Sequence, residues 1–321
     1  MRLPFPDPHH TLTARDTART LAATIMNLPG ISIVTPSFNQ GQFLERTIDS
    51  VLSQNYPNLE YFVMDAGSSD NSVDIIKRHS EHLDFWRSHS DKGQSDAICE
   101  GWKRSKGEVL AWLNSDDYYY PNALATVGQF FAQHPDVLVL WGGIAIVDEK
   151  GAVIRTKQPK QLDAVGLLLF KDVPGQAAAF VRRSVFEQLG GPRLDLHYVM
   201  DWELWLRIAL RYPPPAVALI NDTLAGATEW AGAKTSSAAT ADLVEVRRIF
   251  AEIFSSSTIP DEVRRVRRRA LARSWWRQSK AELNIGARSA AARSLAKSVY
   301  LSPGSVRIGK TLRQLRRIVF R

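Results

Sequence analysis

An α/β fold built on a mostly parallel sheet, followed by a basic helical region, is what this 321-residue sequence predicts. Three observations carry that reading. Short apolar runs alternate with segments of helical period about 10–15 residues long, the pattern of βαβ units. Polar loops follow these runs at Thr35–Gln40, Asp65–Asn71 and Asn114–Tyr120, and a parallel sheet must gather them on one edge. Charge divides the chain as well. Residues 241–321 carry 19 Lys/Arg against 6 Asp/Glu, a net of +13, whereas residues 1–240 carry 22 against 27, a net of −5.

In order, residues 1–29 are polar and Pro-punctuated without period, and read as a loose arm. Ile31–Thr35 reads as a buried strand stopped by Pro36. Phe38–Gly41 makes a turn, and Phe43, Leu44, Ile48, Val51 and Leu52 follow at helical spacing. Leu59–Met64 is a second strand. Val73, Ile75 and Ile76 begin the next helix, with Ser69 or Asp70 as its N-cap. A short strand near Phe85-Trp86 leads through Asp91–Asp96 to a helix ending past Trp102.

The stretch that organises the chain comes next. Leu110–Leu113 reads as a buried strand, with Asn114-Ser115-Asp116-Asp117 where it ends and Tyr118–Tyr120 and Pro121 beyond. A helix to about His134 precedes a strand pair, Val137–Trp141 and Ile144–Val147. The turn Asp148–Gly151 into Ala152–Arg155 makes an antiparallel addition. Ala177–Val181 is a further strand, and the helix after it is closed by Gly190-Gly191-Pro192. Another helix runs from Met200, with Trp202, Trp205, Leu206 and Ala209 as its buried stripe. From residue 240 two or three basic helices are expected, in a hairpin arrangement.

Composition narrows the class. A 45% hydrophobic content supports a real core. The single cysteine, Cys99, excludes an intrachain disulfide framework and a cysteine-based zinc site. No apolar run follows the basic start, and stretches such as Leu167–Phe170 are far too short to span a bilayer. A soluble or peripherally bound, cytoplasmic protein is the expectation.

The chemistry is concentrated where strands end. Ligands of open α/β sheets bind outside the carboxyl ends of the strands. A hard divalent cation wants carboxylate oxygens and bridges them to a diphosphate. Asn-Ser-Asp-Asp alone is also turn and cap chemistry; three polar loops on one edge make a site. Asp201 and Glu203 are two apart on a helix and cannot share a face.

Several of these motifs, in this order, resemble the inverting glycosyltransferase family 2, whose members have the GT-A fold. They are Thr35-Pro36-Ser37-Phe38-Asn39, Asp65-Ala66-Gly67-Ser68-Ser69-Asp70, Asn114-Ser115-Asp116-Asp117 and Met200–Arg207. The resemblance covers residues 30–235, leaving an arm at 1–29 and a basic helical region at 240–321. It implies that Pro36, Ser37, Asn39 and Asp65 line a nucleotide pocket, with Asp65 accepting from the base. It also implies that Asn114 and Asp116 face the ribose or donor sugar, that Asp117, with Asp116, ligates Mn²⁺ or Mg²⁺, and that Asp201 is the general base. Lys92, Gln94 and Asp96 are further candidates for the diphosphate or donor sugar, and Trp202 and Glu203 for the acceptor side.

The sequence departs from the family pattern in three places. Asn114 stands where the family's Asp-x-Asp has its first acid. Met200-Asp201 replaces Glu-Asp, and Ile98-Cys99 replaces a common Arg-Asn. The first two leave one carboxylate per role; the third puts in doubt any phosphate contact carried over from that helix.

The implied activity is transfer of a sugar from a nucleoside-diphosphate donor to a saccharide or lipid-linked acceptor, in cell-surface polysaccharide synthesis. Two alternatives stand beside it. One is a catalytically silent nucleotide-sugar-binding module, which Asn114 and Met200 keep open. The other is a nucleotidyltransferase, against which Thr35–Gly41 offers no Lys or Arg for a phosphate loop. In the basic tail, Ile308, Leu312, Leu315 and Val319 form an apolar stripe among Lys310, Arg313, Arg316 and Arg317, suited to an anionic membrane surface or to packing on a partner. No nucleic-acid motif accompanies the charge.

Overall fold

The computed structural model describes residues 28–161, 163–171, 173–234 and 240–305. The apolar stripe from Ile308 to Val319 lies outside the described residues. Strand β1 (Ile31–Ser37) is buried along its whole length at the centre of the sheet. Helix α1 (Gly41–Leu52) returns the chain to β2 (Leu59–Asp65), and α2 (Ser72–His79) to β3 (Phe85–Ser88). Helix α3 (Gln94–Arg104) then crosses to β4 (Val109–Trp112), on the other side of β1. Strands β3-β2-β1-β4 are all parallel. Their order reverses between β1 and β4, the position where such sheets open a crevice.

Side-chain alternation sets the three layers. Ile31 and Ile33, Tyr61 and Val63, and Val109 and Ala111 face a core shared with Leu44, Ile48 and Ile75 of α1 and α2. Val34, Phe62 and Met64, and Leu110 and Trp112 face the opposite core with Ile98 and Trp102 of α3. Pro36 lacks an N–H, yet sits in a central strand. Pairing of β1 with β4 stops at Val34↔Trp112, so no ladder bond is lost there.

Beyond β4 the sheet becomes mixed. Its further members are β5 (Tyr118–Tyr119), β6 (Val139–Val147), β7 (Val153–Lys157), β8 (Ala179–Arg182) and β9 (Val217–Thr228). The sheet order continues β4-β8-β6-β9-β5, with β7 on β6. The expected strand pair at 137–147 is one strand, β6, whose register shifts at Gly142–Gly143. Those glycines do not turn the chain. A Cβ at Gly142 would run into the Leu224 side chain of parallel β9, and one at Gly143 into Gln158. The expected antiparallel addition is β7 on β6. Strand β9 has no counterpart in the sequence reading, because Asn221-Asp222 interrupts its apolar pattern.

Helix α4 (Ala123–Gln133) covers the α1 side, while α5 (Ala164–Leu168), α6 (Arg183–Leu189) and α7 (Met200–Arg211) lie on the α3 side. Trp205 of α7 stacks on Trp112 at the end of β4, with centroids 5.6 Å apart and planes at 14°, and Trp141 meets it edge-on. The C-terminal region forms α8 (Ala241–Ser255), α9 (Asp261–Arg265), α10 (Arg267–Asn284) and α11 (Arg288–Leu301). Val246, Ile249, Phe250 and Phe254 put α8 into the same apolar core as Trp202 and Trp205. No described helix is long and apolar enough to cross a membrane.

Candidate active site

The carboxyl ends of β1 and β2 carry the first two motifs, and hydrogen bonds stitch them together. Asn39 has a left-handed backbone, φ 50°. Its N–H donates to Ser68 Oγ (2.8 Å), and its Oδ1 accepts from Ser69 N (2.9 Å). Asp70 Oδ2 accepts from Gly41 N at the start of α1, and its Oδ1 from Ser72 N at the start of α2. Asp70 thus closes two helix N-termini, where N–H groups lack intrahelical partners.

Asp65 is fully buried. Its Oδ2 accepts from Gly67 N, Ser68 N and Ser88 Oγ (2.6 Å), and its Oδ1 from Ser68 Oγ. The carboxylate expected at the nucleotide base therefore shapes its own loop. Pro36 and Ser37 are buried, whereas Phe38 is 59% exposed.

The β4 motif is held from α1. Thr47 Oγ1 donates to the carbonyls of Ser115 (2.9 Å) and Asp117 (2.7 Å), and Arg46 Nη2 to that of Asp116 (3.2 Å) and to Thr228 Oγ1 (2.8 Å). Asp117 points inward, at 7% exposure. Its Oδ1 accepts from Thr228 N (3.0 Å) and its Oδ2 from Asn114 Nδ2 (3.3 Å). Burial, and then the neighbouring Asp116, push its carboxyl well above the usual carboxylate range. Asp116 is the more open of the two. Its Oδ2 accepts from Trp230 Nε1 (2.9 Å) and, more weakly, from Gln40 Nε2 (3.5 Å). Burial raises its carboxyl too.

Adjacent carboxylates held at raised pKa, with the nearby Arg46 engaged on carbonyl and hydroxyl oxygens, are short of positive charge. That donor set fits a hard divalent cation. Among the described residues no three His, Cys, Asp or Glu side chains form a complete cage.

From Asn114 a polar chain runs toward α7. Its Oδ1 accepts from Gln94 Nε2 (2.7 Å), and Gln94 Oε1 accepts from Lys234 Nζ (3.0 Å). Asn114 Nδ2 also donates to Gln176 Oε1 (3.0 Å), while Gln176 Nε2 reaches the Trp112 carbonyl (2.7 Å). The loop before α3 is fixed from inside by Arg87, which donates to the Asp65 carbonyl (2.7 Å) and pairs with Asp91 (2.9 Å). Lys92 points outward, and its N–H donates to Asp96 Oδ2 (3.2 Å).

The N-termini of α3 and α7 meet. Ser95 Oγ donates to Met200 Sδ (2.8 Å), and the His197 ring lies beside Gly93, whose φ of 106° turns the chain into α3. Asp201, the second residue of α7, is raised above the usual carboxylate range by burial. The Trp202 N–H (2.7 Å) and the ammonium charges of Lys234 and Lys157 oppose that shift.

Hydrogen bonds thus bring Gln94, Asn114, Asp116 and Asp117 together, with Asp201 on the adjoining helix end. Trp202 and Glu203, expected on the acceptor side, are both buried. Trp202 is core, with Nε1 on the Leu167 carbonyl (3.2 Å). Glu203, at 4% exposure, takes the Arg207 guanidinium, which also donates to the Leu189 and Gly191 carbonyls. Sequence reasoning missed Arg46, Gln176, Thr228, Trp230 and Lys234, which carry no local motif. Gln40 lay within the first turn and was legible only as a turn residue.

Comparison with known proteins agrees with this architecture. The model of the glycosyl transferase family 2 matches residues 32–190. An uncharacterised glycosyltransferase of Mycobacterium tuberculosis is 30% identical over 194 residues, 60% of this chain and 73% of that protein. One of Rickettsia felis is 27% identical over 195 residues; the match spans 58% of this chain but only 32% of that protein. Among solved structures, Staphylococcus aureus TarS 1-349 superposes with a TM-score of 0.61 at 15% identity, covering 89% of this chain and 91% of that one. A Pyrobaculum calidifontis mannosyltransferase, solved with GDP-Man and Mn²⁺, gives 0.57 at 18% identity, over 96% and 94%.

Proposed function

Because this chain belongs to glycosyltransferase family 2 and has the GT-A fold, we propose that it is an inverting, metal-dependent transferase. It moves a sugar from a nucleoside diphosphate to a hydroxyl of a saccharide or lipid-linked acceptor. One observation carries the reading: the carboxylate turn after β4 is joined through Asn114, Gln94 and Lys234 to the helix end that bears Asp201.

In this reading Phe38 and the Asn39–Ser69 turn receive the nucleoside. Asp116, backed by buried Asp117, would hold Mn²⁺ or Mg²⁺ together with diphosphate oxygens and water. When bound, the ion neutralises charge on the departing diphosphate. Asp201 accepts the proton of the acceptor hydroxyl. The new C–O bond forms at the anomeric carbon opposite the diphosphate, and the bond to the diphosphate breaks. The solved relatives with UDP-GlcNAc and with GDP-Man and Mn²⁺ support a nucleotide sugar as donor.

Asn114 argues against a silent module. It does not leave a gap where the family has an acid, because its amide serves Asp117, Gln176 and Gln94 at once. The exposed Arg264, Arg265, Arg267, Arg268 and Arg269 support contact with an anionic membrane surface, where a lipid-linked acceptor of cell-surface polysaccharide synthesis would reside.

The test is incubation with α-linked UDP- and GDP-sugars and saccharide acceptors, reading the product anomer by proton NMR. A β-linked product is expected. An α-linked product removes inversion. Pyrophosphate release from a nucleoside triphosphate would favour the nucleotidyltransferase instead.

A further inference from the structure

We infer that Glu245, in the C-terminal helical region, is a positioning residue for Asp201; this rests on the reading of Asp201 as the base. Helix α7 begins without a cap of its own. The residue before it, Val199, has no side-chain oxygen to accept from the unpaired N–H groups there. Glu245 of α8 instead holds the three residues that lead into the helix. Its Oε1 accepts from His197 N (2.7 Å), and its Oε2 from Tyr198 N (2.9 Å) and Val199 N (3.2 Å). Three consecutive backbone N–H groups thus close on one carboxylate, and Asp201 follows two residues later.

The same face of α8 clamps the rest of the loop. Arg248, three residues on, pairs with Asp195 (3.0 Å) and donates to its carbonyl (2.7 Å). Glu252, four further, pairs with Arg193 (2.5 Å), which also pairs with Asp195 (2.7 Å). Positions 245, 248 and 252 make one helical stripe. Val246, Ile249 and Phe250, on the adjoining side of the helix, fix α8 in the core. On its far side the 193–200 segment meets α3 through Ser95 and Gly93, next to Gln94. Burial pushes the Lys234 ammonium below its ordinary value, and the Glu245 and Asp201 carboxylates oppose that shift. The C-terminal region therefore sets where the base sits relative to the donor edge.

The test compares Glu245→Ala, Glu245→Gln, Asp201→Asn and the Glu245→Ala/Asp201→Asn double variant. Donor turnover, donor KM, nucleotide affinity and hydrogen exchange of residues 193–201 are measured on folded protein. Glu245→Ala should lower kcat about 10–100-fold, as misplacing a reacting group does. Donor KM and nucleotide Kd should stay within about twofold, and exchange at 197–199 should rise. Glu245→Gln presents an amide where only acceptors fit and should lower kcat in the same direction; it serves alone if the alanine variant does not fold. The double variant should lose no more than Asp201→Asn. An unchanged kcat in both Glu245 variants, or additive losses in the double, overturns the positioning role and leaves the base assignment intact. An undiminished kcat in Asp201→Asn overturns both.

Discussion

The indole N–H of Trp230 donates to Asp116 Oδ2 at 2.9 Å, tying the segment after β9 to the carboxylate turn after β4. The ring rests edge-on against Phe43 of α1, centroids 5.0 Å apart. In the proposed reading, the oxygen that Trp230 holds is the one that would take the cation. Trp230→Phe keeps the ring contact and removes the donor. It should tighten metal-dependent nucleotide binding about 3–10-fold, the scale of one hydrogen bond to a charged group. Calorimetry on the variant checks this; weaker binding would make the indole a ligand contact instead.

Asp201→Asn should lower transfer about 10²–10⁴-fold, the usual contribution of a positioned base, with donor KM little changed. In the wild type, transfer should rise with pH through a value above the ordinary carboxylate range, because burial outweighs the Trp202 N–H, Lys234 and Lys157. Stability moves the other way. A carboxyl whose folded pKa exceeds its unfolded value stabilises fully below the unfolded value, and that contribution is lost as pH rises through the folded one. Asp201→Asn should therefore melt higher than wild type at pH 8, with the gain vanishing near pH 4. Melting curves at the two pH values check the sign.

Glu203→Gln should act on stability, not chemistry. It leaves the Arg207 guanidinium short of its ionic partner between α7 and the 189–191 turn. A loss of about 2 kcal/mol is expected, below the usual cost of breaking a fully buried pair because Arg207 is partly exposed. The kcat of folded protein should stay within about twofold, because the Glu203 carboxylate is buried on Arg207. Denaturant titration beside a turnover assay separates the two effects.

Asn114→Asp would restore the family acid and should still harm the protein. It replaces the donor to Asp117 and Gln176 with a third acceptor at a buried carboxylate pair. A destabilisation of about 1–3 kcal/mol follows from the unsatisfied acceptors, with no gain in Mn²⁺ affinity. A tighter metal site in this variant would contradict the roles given to Asn114.

Much of this was legible in the sequence. Strands β1, β2 and β4 are short apolar runs with polar loops directly behind them, so local pattern located the loops on one edge. The rest was hidden because it is nonlocal. Trp230 and Thr228 reach Asp116 and Asp117 from more than a hundred residues away, and Glu245 holds the approach to α7 from a region that reads as a separate basic tail. Strand β9 lost its alternation to Asn221-Asp222. The structural role of Glu203 was within reach, since Arg207 follows it at i+4; the acidic motif drew attention to ligand chemistry instead.

The most direct measurement is calorimetric titration of UDP, GDP, dTDP and CDP, with and without Mn²⁺, into wild type, Asp116→Ala and Asp117→Ala. One nucleotide should bind in a metal-dependent way, and Asp116→Ala should abolish the dependence in protein that remains folded. If folded wild type binds none of the four, or binds one equally well without metal and without Asp116, the donor site does not lie at the carboxylate turn after β4.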